Sequence, residues 1–225
     1  TGEPLIDPQH YEILELLLPY ASNLELRYAT NGTSLGISND RDIFKFWPKF
    51  KSVIVNVSID GIFDVYEYIR TNSSFENIIY NVNQFKSISS VERVVGKFTV
   101  QGANVLQMSE CIRYFIEILG IPFYSHRVSY PNVLSAQVLP AELKKLAISR
   151  LELTLENFDK LDNLDLFDDS ISDIMIDNIK DTITFLNGLD HSDKFQDFLE
   201  FNKRLDSIRK QGPIEYIIPE MSNYV

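Results

Sequence analysis

Cysteine is almost missing from these 225 residues. The single thiol, Cys111, excludes a disulfide framework and any zinc or iron–sulfur site built from this chain's thiolates alone. Histidine is nearly as scarce: His10, His126 and His191 share no metal-ligand spacing. Gly and Pro number nine each, which excludes a collagen-like or Gly/Pro-rich chain. No uncharged apolar run approaches the ~18–20 residues of a membrane helix. Basic residues are outnumbered, 21 against 32 acids, for a formal charge of -11. An acidic surface repels nucleic acid and anionic lipid, and no basic stripe offsets it. Neither nucleic acid nor membrane is therefore expected as a partner. Without disulfides or a visible signal peptide, the expected location is cytoplasmic. In that compartment the N-x-S/T triplets at Asn31, Asn56 and Asn72 mean nothing.

What is present is ordinary for a globular chain: 44% apolar and 24% charged residues. The charge is uneven. Residues 140–225 hold 18 acids and 10 bases, while residues 1–139 are close to balance. The chain opens Thr1-Gly2-Glu3-Pro4-Leu5, without Met. A turn-like segment so early suggests a start inside an element, with further sequence upstream.

Asp7-Pro8 reads as an N-cap followed by proline at the first helical position, with Ile13, Leu14, Leu17 and Leu18 as the apolar stripe. Leu24 to Thr30 alternates as a strand and ends at Asn31-Gly32. Asn39 or Asp40 would cap a short helix through Trp47. Phe44, Phe46, Trp47 and Phe50 look like packing residues. Ser52 to Ile59 is β-branched, suits a strand buried on both faces, and ends at Asp60-Gly61. Phe75 to Phe85 has helical spacing, and Val94 to Gln101 is a strand. Asn104 would cap a helix whose apolar face runs from Met108 to Leu119, with Gly120 as its C′ residue. Cys111 lies on that face and reads as a small buried hydrophobe. Pro122 to Tyr130 is extended.

Alternating strands and helices imply parallel βαβ units over residues 1–139. From Pro140 the pattern is helical only. Ser170 with Asp173 resembles a capping box, and Asp168-Asp169 a solvated face without calcium-loop spacing. Residues 140–225 read as an acidic helical extension.

In parallel sheets, ligands bind beyond the carboxyl ends of the strands. Five small, polar clusters fall there: Thr1-Gly2-Glu3-Pro4, Thr30-Asn31-Gly32-Thr33, Ser58-Ile59-Asp60-Gly61, Thr99-Val100-Gln101 and Ser129-Tyr130-Pro131-Asn132. Small residues admit a ligand to the backbone, and hydroxyl, amide and carboxylate groups orient it. Each alone is commonly a plain turn. Their recurrence at successive strand ends is the stronger signal.

Gly2-Glu3-Pro4-Leu5 resembles the end of the Gly-Gly-Glu-Pro motif of radical S-adenosylmethionine enzymes. Thr30-Asn31-Gly32-Thr33 resembles their next strand end, and Ser58-Ile59-Asp60-Gly61 their Ser-x-Asp-Gly element. Tyr68-Ile69-Arg70 with Ser74-Phe75 is similar to the arginine segment after it. Thr99-Val100-Gln101 and Asn104 fit the fifth strand and its helix cap. The pattern is similar to the twitch-domain-containing type and continues through Leu139-Pro140 to Pro219-Glu220.

The resemblance implies an incomplete, TIM-barrel-like parallel (β/α) barrel followed by helices. It implies S-adenosylmethionine as cofactor, held by Gly2, Glu3, Pro4, Asn31, Ser58, Arg70 and Gln101. Glu3 would accept from the methionyl ammonium, while Ser58 and Arg70 would hold the carboxylate. Asn31 and Gln101 would line the pocket, and Asp60 would cap the following turn. The family's activity is generation of a 5′-deoxyadenosyl radical by an iron–sulfur (4Fe–4S) centre, here acting on an unknown substrate. The open side of such a barrel suits a peptide or protein.

Two departures stand out. The CxxxCxxC loop that binds the cluster is absent, and the motif's first glycine is Thr1. The rival readings are a non-catalytic binding or assembly module on a degenerate barrel, and a nucleotide-sugar-binding α/β domain using Asp60.

Overall fold

A computed structural model describes residues 2–128 and 130–224. Thr1 and Ser129, which belong to two of the clusters above, lie outside the described residues.

The architecture is mixed α/β. In chain order the elements are α1 (Pro8–Leu17), β1 (Glu25–Thr30), β2 (Gly36–Ser38), β3 (Arg41–Asp42), α2 (Ile43–Phe46), β4 (Ser52–Ser58), α3 (Phe63–Ile69) and α4 (Phe75–Lys86). There follow β5 (Val91–Val100), α5 (Met108–Arg113), β6 (Phe123–Arg127), α6 (Ala141–Glu156), α7 (Asp169–Leu186), α8 (Phe195–Arg209) and α9 (Ile214–Ile217). One sheet has the order β1-β4-β5-β6, and β2 with β3 forms a small hairpin. β1 runs parallel to β4 with Glu25 opposite Ser52, and β4 runs parallel to β5 with Ser58 opposite Lys97. Among the described residues no helix is long and apolar enough to cross a membrane.

The chain divides into two compact units, Thr1–Ile59 with Ser73–Lys97, and Asp60–Asn72 with Phe98–Val225. In the first, Asp7 caps α1 as its sequence implies, its carboxylate accepting from Gln9 N. Tyr11 and Leu14 are buried, whereas Ile13 is 54% exposed and lies off the stripe the spacing gave it. β4 alternates rather than burying both faces: Val53, Val55 and Val57 are inside, and Ile54, Asn56 and Ser58 are half-buried. The core continues through Tyr28, Trp47 and Phe85, whose ring centroids lie 4.8 and 5.6 Å apart in turn. Phe46 and Phe50 join it, while Phe44 is exposed. The cap of α2 is Asp42, not Asn39 or Asp40, because its carboxylate accepts from Lys45 N at 2.9 Å.

In the second unit, Phe98, Phe115 and Phe123 pack as neighbouring rings, and Phe115 lies on a π-helical turn (Tyr114–Ile118) that extends α5. Gly120 ends that helix at φ 57°, as a C′ glycine does. α7 begins at Asp168, whose carboxylate takes Ile171 N, so the expected Ser170 box is displaced by two residues. α7 lays Met175 and Ile179 into the core, and its Asn178 Oδ1 accepts from Ser125 N on β6 at 2.7 Å.

Candidate functional site

In the first unit the polar residues gather where β1 ends. Asn31 folds the turn onto its own side chain: its Oδ1 accepts from Thr33 N at 3.0 Å and from Thr33 Oγ1 at 2.8 Å. Gly32 takes the left-handed conformation, φ 68°, that this turn requires. Its carbonyl is held by the buried Asn81 of α4 at 2.7 Å. Glu3 docks on this turn. The Thr30 hydroxyl donates to Oε1 at 2.5 Å, Asn31 N to Oε2 at 2.6 Å, and Leu5 N to Oε1 at 3.2 Å. Bonds to an ionised acceptor are the short, strong kind. Thr30 Oγ1 in turn accepts from Gly32 N. The carboxylate is thus fixed by three donors. A carboxylate offers about four acceptor positions, so one lone pair on Oε2 is left for a further donor.

In the second unit a different acid organises the chain. Asp60 Oδ2 accepts from Arg70 Nη2 at 2.6 Å and Nε at 3.0 Å, while Oδ1 accepts from Thr99 N at 2.7 Å. Gly61 follows because a Cβ there would stand 2.9 Å from Tyr66 N and Val65 Cγ1 of α3. Asn104 is a buried hub. Its amide donates to Asp60 O at 3.0 Å and Thr99 O at 2.9 Å, and its carbonyl accepts from Gln101 N at 2.9 Å. Thr99 Oγ1 and His126 Nε2 lie 3.1 Å apart.

The expected site residues divide between these clusters. Glu3 and Asn31 meet in the first. Asn31 contributes its backbone N–H, and its side-chain carbonyl is spent on the turn. Pro4 is the first residue of a short 3-10 turn that Glu3 caps. Gly2 has open space where a Cβ would stand, so close packing does not require a glycine there. Ser58 is half-buried at the last position of β4. In the second unit, Arg70 is held side-on by Asp60, which leaves its Nη1 edge without a hydrogen bond among the described residues. Gln101 is buried, its backbone taken by Asn104. Two roles change. Asp60 does not cap the following turn, since its carboxylate oxygens go to Arg70 and Thr99. Asn104 stands at the N-cap position, but its side chain makes no cap bond. Sequence reasoning missed Asn104 as hub and Asn81 as turn support, for each looks like an ordinary helix polar residue.

Donors for a metal are wanting. Among the described residues no three His, Cys, Asp or Glu side chains group to hold one. Cys111 is fully buried, and burial pushes its thiol well above the ordinary value. A 4Fe–4S cluster does not fit these residues. The chain matches no family model, and no curated protein matches it.

Proposed function

We propose that this chain is part of a radical S-adenosylmethionine enzyme, the part that grips the amino-acid end of the cofactor. One observation supports the reading most. Glu3, the acid of the Gly-Glu-Pro motif, is separated by 27 residues from Thr30, yet its carboxylate is fixed on the turn that closes β1. An acid so held, with acceptor capacity left on Oε2, is preorganised to receive an ammonium. In the second unit Asp60 orients Arg70 and leaves the end-on edge of the guanidinium, the shape that takes a carboxylate in bidentate fashion. S-adenosylmethionine, when bound, supplies the reactive sulfonium, and Glu3 would hold its ammonium. No reductive step is assigned to them, because the donors for a cluster are lacking. The nucleotide-sugar reading has less support, since both oxygens of Asp60 are engaged by Arg70 and Thr99.

Calorimetric titration of the chain with S-adenosylmethionine tests the reading. Weak binding is expected, reduced at least about tenfold in Glu3→Ala and in Arg70→Ala. Unchanged affinity in both variants overturns the assignment and favours the non-catalytic module.

A further inference from the structure

A cavity of about 520 Å³ lies in the second unit, lined by α8 and the C-terminal segment. Its size falls within the range of small-molecule pockets. Leu199, Pro213, Ile214 and Tyr224 supply an apolar lining. Asp206 lines it too, and only 8% of that residue is exposed. Gln211 Nε2 donates to Asp206 Oδ1 at 3.0 Å. Burial, and then the charge of Asp206, push the neighbouring Tyr68 phenol far above its ordinary value. Tyr68, whose hydroxyl lies 3.2 Å from Asn202 Oδ1, is also within hydrogen-bond reach of this carboxylate. With Gln211 and Tyr68 as side-chain donors, about half of its four acceptor positions remain. Two lysines, Lys203 and Lys210, also border the cavity, but both are solvent-exposed. Water screens them, whereas the buried acid acts through a lower dielectric. The buried charge therefore sets the sign of the site.

We propose that this cavity binds a small primary amine with an apolar body, its ammonium on Asp206 and its body against Leu199, Ile214 and Tyr224. The site is independent of the cofactor reading above, because it shares no residue with it.

Phenethylamine is a suitable probe, with 3-phenylpropionate as its oppositely charged counterpart. Calorimetry or NMR titration of the full chain should show saturable amine binding, with the acid at least about tenfold weaker. Asp206→Asn should erase that preference. Because this substitution also touches the Gln211 bond, Ser207→Phe provides a second variant. Ser207 is an exposed lining residue, and a phenyl group there fills the cavity with Asp206 intact. It should abolish amine binding. Equal affinity for the two probes, no binding of either, or full-strength binding by Ser207→Phe would each overturn the proposal.

Discussion

Asp60 and Arg70 face each other across the short helix α3, with Nη2 2.6 Å from Oδ2 and side chains only 7% and 24% exposed. The same carboxylate closes the backbone of Thr99. Removing one partner of such a pair leaves an uncompensated charge out of water, at a cost of about 3–5 kcal/mol. Asp60→Ala should lower the unfolding free energy from urea titration by that order. Asp60→Asn, which can still accept from Thr99, should cost less. A loss below ~1 kcal/mol in Asp60→Ala would show that solvent already compensates Arg70.

Gly32 is fixed for two reasons at once. Its φ is 68°, and an added Cβ would meet Ile78 Cδ1 at 2.4 Å and Val57 Cγ1 at 2.7 Å. Left-handed strain costs about 1–2 kcal/mol for a residue with a side chain, and overpacking adds ~1–3. Gly32→Ala should therefore destabilise by about 2–5 kcal/mol in equilibrium unfolding. It should do so even though alanine is normally the better choice in the unfolded-chain balance. Near-wild-type stability would mean that Ile78 has a free rotamer to move into.

These two sites show what a sequence can disclose. The strands β1, β4 and β5 were legible because an alternating segment in β1 and β-branched runs in β4 and β5 lie between turn signals, a pattern with few other solutions. The turn at Asn31-Gly32 was legible for the same local reason. The pairing of Asp60 with Arg70 was not: a carboxylate after a strand is equally suited to a cap, a metal or a ligand, and only the path of α3 selects among them. Asn104 stands at the cap position that its sequence context suggests, but its side chain turns to the carbonyls of Asp60 and Thr99, which no local pattern discloses. The cap of α7 slipped to Asp168 because neighbouring acids and serines all satisfy the same local pattern. Glu3 was singled out by resemblance; its three donors come from backbone and hydroxyl groups, which carry no compositional signature.

Cys111 should behave as a core atom, not a reagent. It is fully buried, its Sγ lies 3.7 Å from Gln107 Oε1, and burial raises its pKa. A thiolate is the reactive form, so native Cys111 should react with a thiol-specific disulfide reagent only as fast as the unit opens. Full reactivity should return in denaturant. Incubation with iron and sulfide under reducing conditions should leave no 4Fe–4S absorption on this chain. Rapid native modification would show that α5 opens readily, and a bound cluster would overturn the argument from donors.

His10 gives the pH dependence a sign. Burial lowers its pKa below the ordinary 6.5, against the carboxylates of Asp7 and Glu3, which pull it upward. Its Nε2 lies 3.1 Å from the buried Tyr28 hydroxyl. In the window between the folded value and 6.5, the unfolded chain holds more protons than the folded one. Stability must then rise with pH through that window. The contribution is complete above 6.5 and disappears as the pH falls through the folded value. His10→Gln keeps a polar partner for Tyr28 and cannot titrate. Urea midpoints of both proteins, measured across pH ~5 to ~7.5, should show the wild type losing more stability than the variant on acidification. Parallel curves would show that His10 does not carry this proton.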